Sequence, residues 1–445
     1  ANDVMTEEVR DWMRPRGIIN NSHVSCHLTC ALQMLIHSSP LLREILIECW
    51  RCNETGSGFL IEMGRFLANA SEDCEVFINP SRIYAVIEEN ISINPNELGD
   101  AVLALRRILQ AIRQNCAEIE CLSDLMGILL EGTLVQEIIG TKSNMQRKKS
   151  TNRKMNLPFV LPGDAPSLEE ALRHATIDPQ HPIKGYSWGE TGNYIESEVP
   201  SAGGWDCSDE STSITGWTTY KKNCLHSVPQ CLLLHLQRFS MVDGNLTQLN
   251  AIMDIPLALD ISPYRDPLSE NTNGMYYLSG AILHVLDLKE DKEDKGGENG
   301  HYISITLVKG IWYLIDDDTV VSFEDKKDVL LELLAGRSST FAHLENYRFT
   351  TVLATYNNRG AERLSVEFLD RLRCELVTHK NQDRDETSSI VQWDEALVGR
   401  RLGVRWSKGK FYSGIISKYD KDTGKHTVVY DDGEVREYKL SKKTI

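Results

Sequence analysis

The chain has 445 residues, of which 41% are hydrophobic and 25% charged, the usual balance of a globular protein with room for two or three domains. No apolar run approaches the roughly 18 residues of a membrane helix, so we expect no membrane span. The 11 cysteines are an odd count without regular spacing, which argues against a disulfide scaffold and favours a reducing compartment. These features predict a protein of the nucleus or the cytoplasm.

The net charge of −16 is distributed unevenly. Residues 391–445 contain 12 Lys and Arg against 8 Asp and Glu, so the rest of the chain is strongly acidic. An acidic body suits a basic partner and repels nucleic acid, so we expect no direct nucleic-acid binding. Solubility alone is an equally good explanation of the same charge.

The first part of the chain has helical patterns. Residues 1–13 predict a lead-in helix, and apolar residues recur at helical spacing from Cys26 to about Cys49 and through 60–130. The basic, polar stretch Lys142–Lys154 predicts an exposed loop, which is either a solvated insert or a localisation or binding patch.

Alternating apolar and β-branched residues dominate the later part of the chain. The predicted strands are Cys231–Phe239, Met275–Leu286, Tyr302–Val308, Ile311–Ile315 and Phe349–Tyr356. Helices followed by strands are typical of an α+β domain. Residues 361–390, a charged helical segment and then a polar stretch, predict a linker. Residues 391–445 contain short strands between turns and predict a small all-β barrel.

Cys26 is the candidate nucleophile. It lies where the Asn- and Ser-rich segment Asn20–Ser25 gives way to a helix, and a helix N-terminus stabilises a thiolate. Cys30 lies one turn later and would receive less of this stabilisation. A cysteine taken alone is more often a small buried hydrophobic residue, so the case depends on its partners.

A histidine and an acid follow late in the chain. His301 comes after the glycine-rich segment Gly296–Gly300 and opens one strand, while Asp316 ends the next strand. Antiparallel neighbours joined by a short turn bring such positions within hydrogen-bond reach. Because three acids are consecutive, Asp317 is an alternative to Asp316. A thiol, an imidazole and a carboxylate are the groups that a cysteine hydrolase needs.

These residues resemble the ubiquitin-specific proteases, a family of papain-like cysteine peptidases, over about residues 14–360. The segments that carry the resemblance, in the family's order, are Gly17–Asn20 with Cys26–Gln33, Val228–Phe239, Ile255–Tyr264, Gly296–Tyr302 and Trp312–Asp317. The resemblance implies thumb, palm and fingers subdomains that grip ubiquitin, and hydrolysis of the isopeptide bond after its C-terminal glycine. It makes Cys26 the nucleophile, His301 the general base and Asp316 the residue that orients the histidine, without a cofactor.

The chain departs from the family pattern in two places. The regions that match the fingers contain only the isolated Cys207 and Cys224 instead of two CxxC pairs, so we expect no zinc. The segment before Cys26 is one residue longer than the family's, and Val24 stands in the place of the oxyanion-hole asparagine.

Loss of one oxyanion donor typically costs about 2.7–4 kcal/mol. Asn20 and Asn21 are candidate replacement donors, together with His23 and the backbone N–H of Cys26. The alternative is a catalytically inactive ubiquitin-binding scaffold.

The last segment, residues 391–445, resembles a Tudor domain, a small SH3-like barrel. The residues that match its aromatic cage are Trp406, Tyr412, Tyr430 and Asp432. Aromatic faces attract cations, so the resemblance implies binding of a methylated lysine or arginine peptide, such as a histone tail. The other interpretation is that these aromatic residues form only the core of the small barrel.

Overall fold

The computed structural model describes residues 15–21, 23–53, 56, 58–71, 77–142, 145–155, 157–176, 188, 195–198, 218–242, 245–249, 251–269, 274–287, 300–324, 326–337, 347–358, 368–376, 397–405, 411–430 and 433–439. The chain divides into two compact units, Ala1–Leu376 and Val377–Ile445. The lead-in helix predicted for residues 1–13 lies outside the described residues. Within those residues, no helix is both long and apolar enough to cross a membrane.

Helices of the first unit belong to two hydrophobic clusters. The helices are α1 (Cys26–His37), α2 (Pro40–Arg51), α3 (Phe59–Ser71), α4 (Ser81–Ile91), α5 (Ala101–Cys116), α6 (Glu120–Leu130), α7 (Leu168–Ala175), α8 (Lys327–Ala335) and α9 (368–376). The helices predicted between residues 26 and 130 are therefore confirmed. Helices α1 to α6 belong to one cluster, and α7 and α8 belong to the other. Every residue of α1 is buried, as expected for a helix with neighbours on all sides.

The helix α9 falls inside the segment predicted as a linker. Arg373 pairs with Glu48 of α2 at 2.6 Å, and Glu375 accepts a hydrogen bond from the backbone N–H of Cys121 at 2.9 Å. The described part of this segment therefore packs on the first unit.

The strands of the first unit are β1 (Gly17–Ile18), β2 (Phe77–Ile78), β3 (Gly132–Lys142), β4 (Met145–Met155), β5 (Phe159–Pro162), β6 (Ile195–Glu198), β7 (Thr218–Ser227), β8 (Cys231–Gln237), β9 (Phe239–Val242), β10 (Asn245–Gln248), β11 (Ala258–Asp260), β12 (Met275–Asp287), β13 (His301–Val308), β14 (Ile311–Asp316), β15 (Thr319–Ser322) and β16 (Tyr347–Asn358). An eight-stranded sheet has the order β15-β14-β13-β12-β16-β8-β5, with β11 paired to β12. Its strands β8, β12, β13, β14 and β16 confirm the five predicted strands and the α+β class.

A second sheet, in the order β6-β4-β3-β7, forms the fingers. Here the loop predicted for Lys142–Lys154 is wrong, because β4 pairs with β3 in register from Gly132↔Met155 to Lys142↔Met145. The strand has no apolar alternation because residues 149–154 are exposed. Trp188 packs against Gly140 and donates a hydrogen bond to Thr219 at 2.9 Å, which stabilises the described part of this sheet.

The second unit contains four antiparallel strands. These are β17 (Arg401–Arg405), β18 (Phe411–Asp420), β19 (Lys425–Tyr430) and β20 (Val435–Tyr438), paired in sequence order. Ile416, Val428 and Tyr430 form the core of this unit. The predicted short strands are present, but the pairing among the described residues does not close them into the predicted barrel.

Candidate active site

The thiol lies at the start of a buried helix. Cys26 is the first residue of α1 and is only 3% exposed. Backbone N–H groups in the first turn of a helix create a positive potential that favours a thiolate. The Ser25 hydroxyl does not cap this helix, since it donates to the side-chain oxygen of Asn20 at 2.7 Å.

The sheet supplies the histidine and its acid. His301 begins β13 and Asp316 ends β14, and these antiparallel neighbours place the His301 Nε2 atom 2.6 Å from the Asp316 Oδ1 atom. Burial lowers the pKa of His301, but hydrogen bonds with Asp316 and Cys26, and the charges of both, outweigh burial and raise it to about 10. The imidazole is therefore protonated at neutral pH and joins the thiol to the carboxylate.

Asp317 has different partners. Its carboxylate accepts hydrogen bonds from Asn20 Nδ2 and Thr29 Oγ1, both at 3.0 Å. Burial raises the pKa of Asp317, while these two hydrogen bonds act in the opposite direction. Of the two acids that the sequence left open, Asp316 is therefore the one paired with His301, and Asp317 ties the turn after β14 to α1 and to the segment before it.

The segment before Cys26 contains a turn. The backbone N–H of His23 donates to the carbonyl of Asn20 at 3.2 Å, and His23 has a φ of 55°. The Asn20 amide donates to Asp317, and Asn21 is exposed. Val24 contributes its carbonyl oxygen to a contact with the ring of His27. A role for Asn20 or Asn21 at the oxyanion stays a prediction.

Sequence reasoning missed His284, which is 3% exposed in the middle of β12. Its ring meets Tyr302 edge-on at 5.0 Å and lies against Gly300, where an added Cβ would be 1.6 Å from Nε2. Burial lowers its pKa to about 4, so the ring is neutral at pH 7. It fixes the backbone that leads into His301. A histidine within an apolar strand gives no sequence signal for this position.

Asp100 was also missed, because in the sequence it only marks the start of α5. Its carboxylate accepts a hydrogen bond from the backbone N–H of Leu103 at 2.6 Å. Burial lowers the pKa values of His27, His235 and His284, and the negative charge of Asp100 acts in the opposite direction on all three.

The predicted cage residues are described only in part. Trp406 and Asp432 lie outside the described residues, and the side chain of Tyr412 is not described. Tyr430 is 4% exposed, and its hydroxyl donates to that of Tyr438 at 2.8 Å. Tyr430 therefore belongs to the core of the small sheet.

A helix that presents a thiol and a sheet that presents an imidazole with its carboxylate form an arrangement typical of thiol hydrolases. Residues 16–339 match the family model described as ubiquitin carboxyl-terminal hydrolase, and the chain belongs to this family.

Two proteins with similar sequences are also ubiquitin carboxyl-terminal hydrolases. Ubiquitin carboxyl-terminal hydrolase 16 of Arabidopsis thaliana is 24% identical over 69% of this chain and 29% of that protein. Ubiquitin carboxyl-terminal hydrolase 17-like protein C of Mus musculus is 37% identical over 70% of this chain and 53% of that protein. The chain therefore matches about a third to a half of the length of these relatives.

A chain of the SAGA Ubp8/Sgf11/Sus1/Sgf73 DUB module bound to ubiquitin aldehyde has a similar structure. The TM-score is 0.56 at 18% identity, over 80% of this chain and 71% of that chain. The likeness at this level of identity is one of fold.

Proposed function

We propose that the protein is a deubiquitinating cysteine protease that hydrolyses the isopeptide bond after the C-terminal glycine of ubiquitin. The observation that carries this proposal is that His301 is hydrogen-bonded to Asp316 at 2.6 Å and interacts electrostatically with Cys26, where α1 meets β13. The family match over residues 16–339 supports ubiquitin as the substrate.

In the proposed reaction, the Cys26 thiolate attacks the carbonyl carbon of the ubiquitin C-terminal glycine. The tetrahedral intermediate collapses as His301 gives its proton to the leaving lysine amine, which leaves a thioester on Cys26. The neutral His301 then takes a proton from water, which attacks the thioester and releases the carboxylate and the thiol. Asp316 holds the ring orientation throughout.

We further propose that backbone N–H groups at the start of α1, including that of Cys26, stabilise the oxyanion. In this proposal the Asn20 side chain is a positioning group, because it accepts a hydrogen bond from the Ser25 hydroxyl and donates one to the Asp317 carboxylate.

The test is cleavage of a fluorogenic ubiquitin C-terminal amide. We expect turnover by the wild-type chain, none by Cys26→Ala, and retained turnover by Cys30→Ala. Cys30 is a matched control because it is 2% exposed in the same helix, and burial raises the pKa of its thiol well above the usual range. The absence of Cys26-dependent turnover on ubiquitin or a related modifier would refute the proposal. Ubiquitin binding without reaction would then favour the inactive scaffold.

For the second unit we propose binding of a methylated lysine or arginine peptide that directs the hydrolase to its substrate in the nucleus or cytoplasm. The support is the match of Trp406, Tyr412 and Asp432 to cage positions. Tyr430, the fourth matching residue, lies in the core of the sheet and adds no support. Titration of methylated peptides against the full chain and its Trp406→Ala variant tests this role. Equal signals from both proteins would remove it.

A further inference from the structure

The fingers contain a concentrated group of basic residues. Residues 145–155 of β4 include five Lys and Arg and no Asp or Glu, in a chain with 64 acids and 48 bases. The neighbouring strand β7 adds Lys221 and Lys222. Neither the hydrolase mechanism nor the family match assigns a role to these charges.

Strand pairing places several of them on one face. Lys149 and Lys221 both pair with Ile138, so their side chains point the same way from strands about 10 Å apart. Thr151 and Arg153 follow Lys149 at intervals of two residues and share that face, since side chains alternate along a strand. We refer to Lys149, Thr151, Arg153 and Lys221 as the basic face.

Within the part of the chain that the structure describes, no acid neutralises the charges of the basic face. Elsewhere on the fingers, Lys148 pairs with Glu137, and Lys154 lies 3.8 Å from Glu131. Lys149, Arg153 and Lys221 form no ion pair with any residue that the structure describes. Residues 149–154 are all exposed, so the surface is accessible to solvent.

Protection of an exposed strand from aggregation is the competing explanation. Lysine is the residue most often used for that purpose, so the positive sign alone does not separate the two explanations. Edge protection predicts no affinity for an anion, whereas an anionic partner predicts binding.

The residue types point to phosphate. The exposed run from Lys149 to Lys154 consists of Lys, Ser, Thr, Asn and Arg and contains no apolar side chain, and Ile138, which lies between Lys149 and Lys221 on the same face, is partly buried. Interfaces with folded proteins need a desolvated, partly apolar centre, whereas these are the side chains that contact nucleic-acid phosphates. We propose that the basic face binds the backbone of nucleic acid without reading its bases.

The acidic balance of the whole chain does not forbid this. At physiological ionic strength, exposed charges more than about 8 Å apart are largely screened. Phosphates at the basic face therefore interact mainly with Lys149, Arg153 and Lys221, and the net charge of the chain acts only weakly on them.

The experiment is fluorescence polarisation of a labelled duplex DNA of random sequence, with the full chain, between 50 and 200 mM salt. The test variant is Lys149→Glu/Arg153→Glu. The matched control is Arg107→Glu/Lys327→Glu, which makes the same charge change at two exposed positions on α5 and α8. Thermal unfolding of each variant confirms that the fold is retained.

We expect the test variant to lose roughly 30-fold in affinity near 0.15 M salt. The slope of the logarithm of the binding constant against the logarithm of the salt concentration should become shallower by about 1.8, because two phosphate contacts are lost and each contributes about 0.9. The control should bind like the wild type. Undetectable binding at 50 mM salt, or an equal loss in both variants, would overturn the proposal. Displacement of the DNA by poly-glutamate at equal charge concentration would also overturn it, because the partner would then be an acidic protein.

Discussion

Gly17 offers a direct test of how the segment before Cys26 is held against the catalytic turn. A Cβ added at Gly17 would lie 2.3 Å from the Cα and carbonyl carbon of Asp318, where ordinary contacts begin at 3.4 Å. These are backbone atoms, so β1 or the turn after β14 must move by about an ångström. That shift would break the 2.7 Å hydrogen bond from the Ile18 N–H to the Asp317 carbonyl.

The Gly17→Ala variant should therefore lose about 2–4 kcal/mol of unfolding free energy, from overpacking of roughly 1–3 kcal/mol and one hydrogen bond of about 1 kcal/mol. A displacement of this size near the reacting groups can cost about 10²-fold in rate. The assays are urea denaturation of the first unit and kcat for the fluorogenic ubiquitin amide.

Gly127→Ala is the control. Its Cβ would meet nothing within 4 Å in the interior of α6, so it should gain up to about 1 kcal/mol and keep its rate. The proposed coupling between β1 and the turn after β14 would be refuted if Gly17→Ala had the same urea midpoint of unfolding as the wild type and a kcat within threefold of the wild-type value.

Three further predictions concern the carboxylates and a buried arginine. Because the pKa of His301 is raised to about 10, its imidazolium form is present at neutral pH and is lost as pH rises through that value, so the rate should decline near pH 10. In Asp316→Asn this decline should move to lower pH and kcat should drop roughly 10²–10⁴-fold, as a pH–rate profile would show. Asp317→Ala should mainly lower the free energy of unfolding in urea, by about 2–4 kcal/mol, since two hydrogen bonds to a charged group are lost. A larger rate loss than in Asp316→Asn would show that Asp317, and not Asp316, is the acid that acts with His301. Arg238→Met should lower the free energy of unfolding by more than about 3 kcal/mol, because the side chain of Arg238, which is 1% exposed, donates hydrogen bonds to three backbone carbonyls. Thermal unfolding measures this loss, and a variant as stable as the wild type would contradict the prediction.

The main elements follow from the sequence because their signals are local. Helical spacing from Cys26 onward and strand alternation from Val228 onward both reflect apolar side chains that are buried in the two hydrophobic clusters of the first unit. The order of His301 and Asp316 on consecutive strands also predicts their proximity, since a two-residue turn fixes the register.

The fingers strand β4 could not be predicted in this way. It has no buried face between Lys149 and Lys154, and only its pairing with β3 makes it a strand. Period-2 alternation requires an apolar face, so such a strand has the same composition as a loop.

The roles of residues that depend on contacts with distant parts of the chain could not be predicted from the sequence either. The sequence could not separate Asp316 from Asp317, because the difference depends on Asn20 and Thr29, which lie nearly 300 residues away in the chain. The importance of His284 likewise depends on Gly300, which precedes the next strand, and on Tyr302 within that strand. Long-range packing of this kind leaves no periodic signal.

In the proposed mechanism, Cys26 is the nucleophile that attacks the C-terminal carbonyl group of ubiquitin. The most direct test of this role is intact-mass measurement after incubation with ubiquitin that carries a C-terminal electrophile. We expect one adduct on the wild-type chain and on Cys30→Ala, and none on Cys26→Ala. An unmodified wild-type chain, or an adduct that persists in Cys26→Ala, would contradict the account.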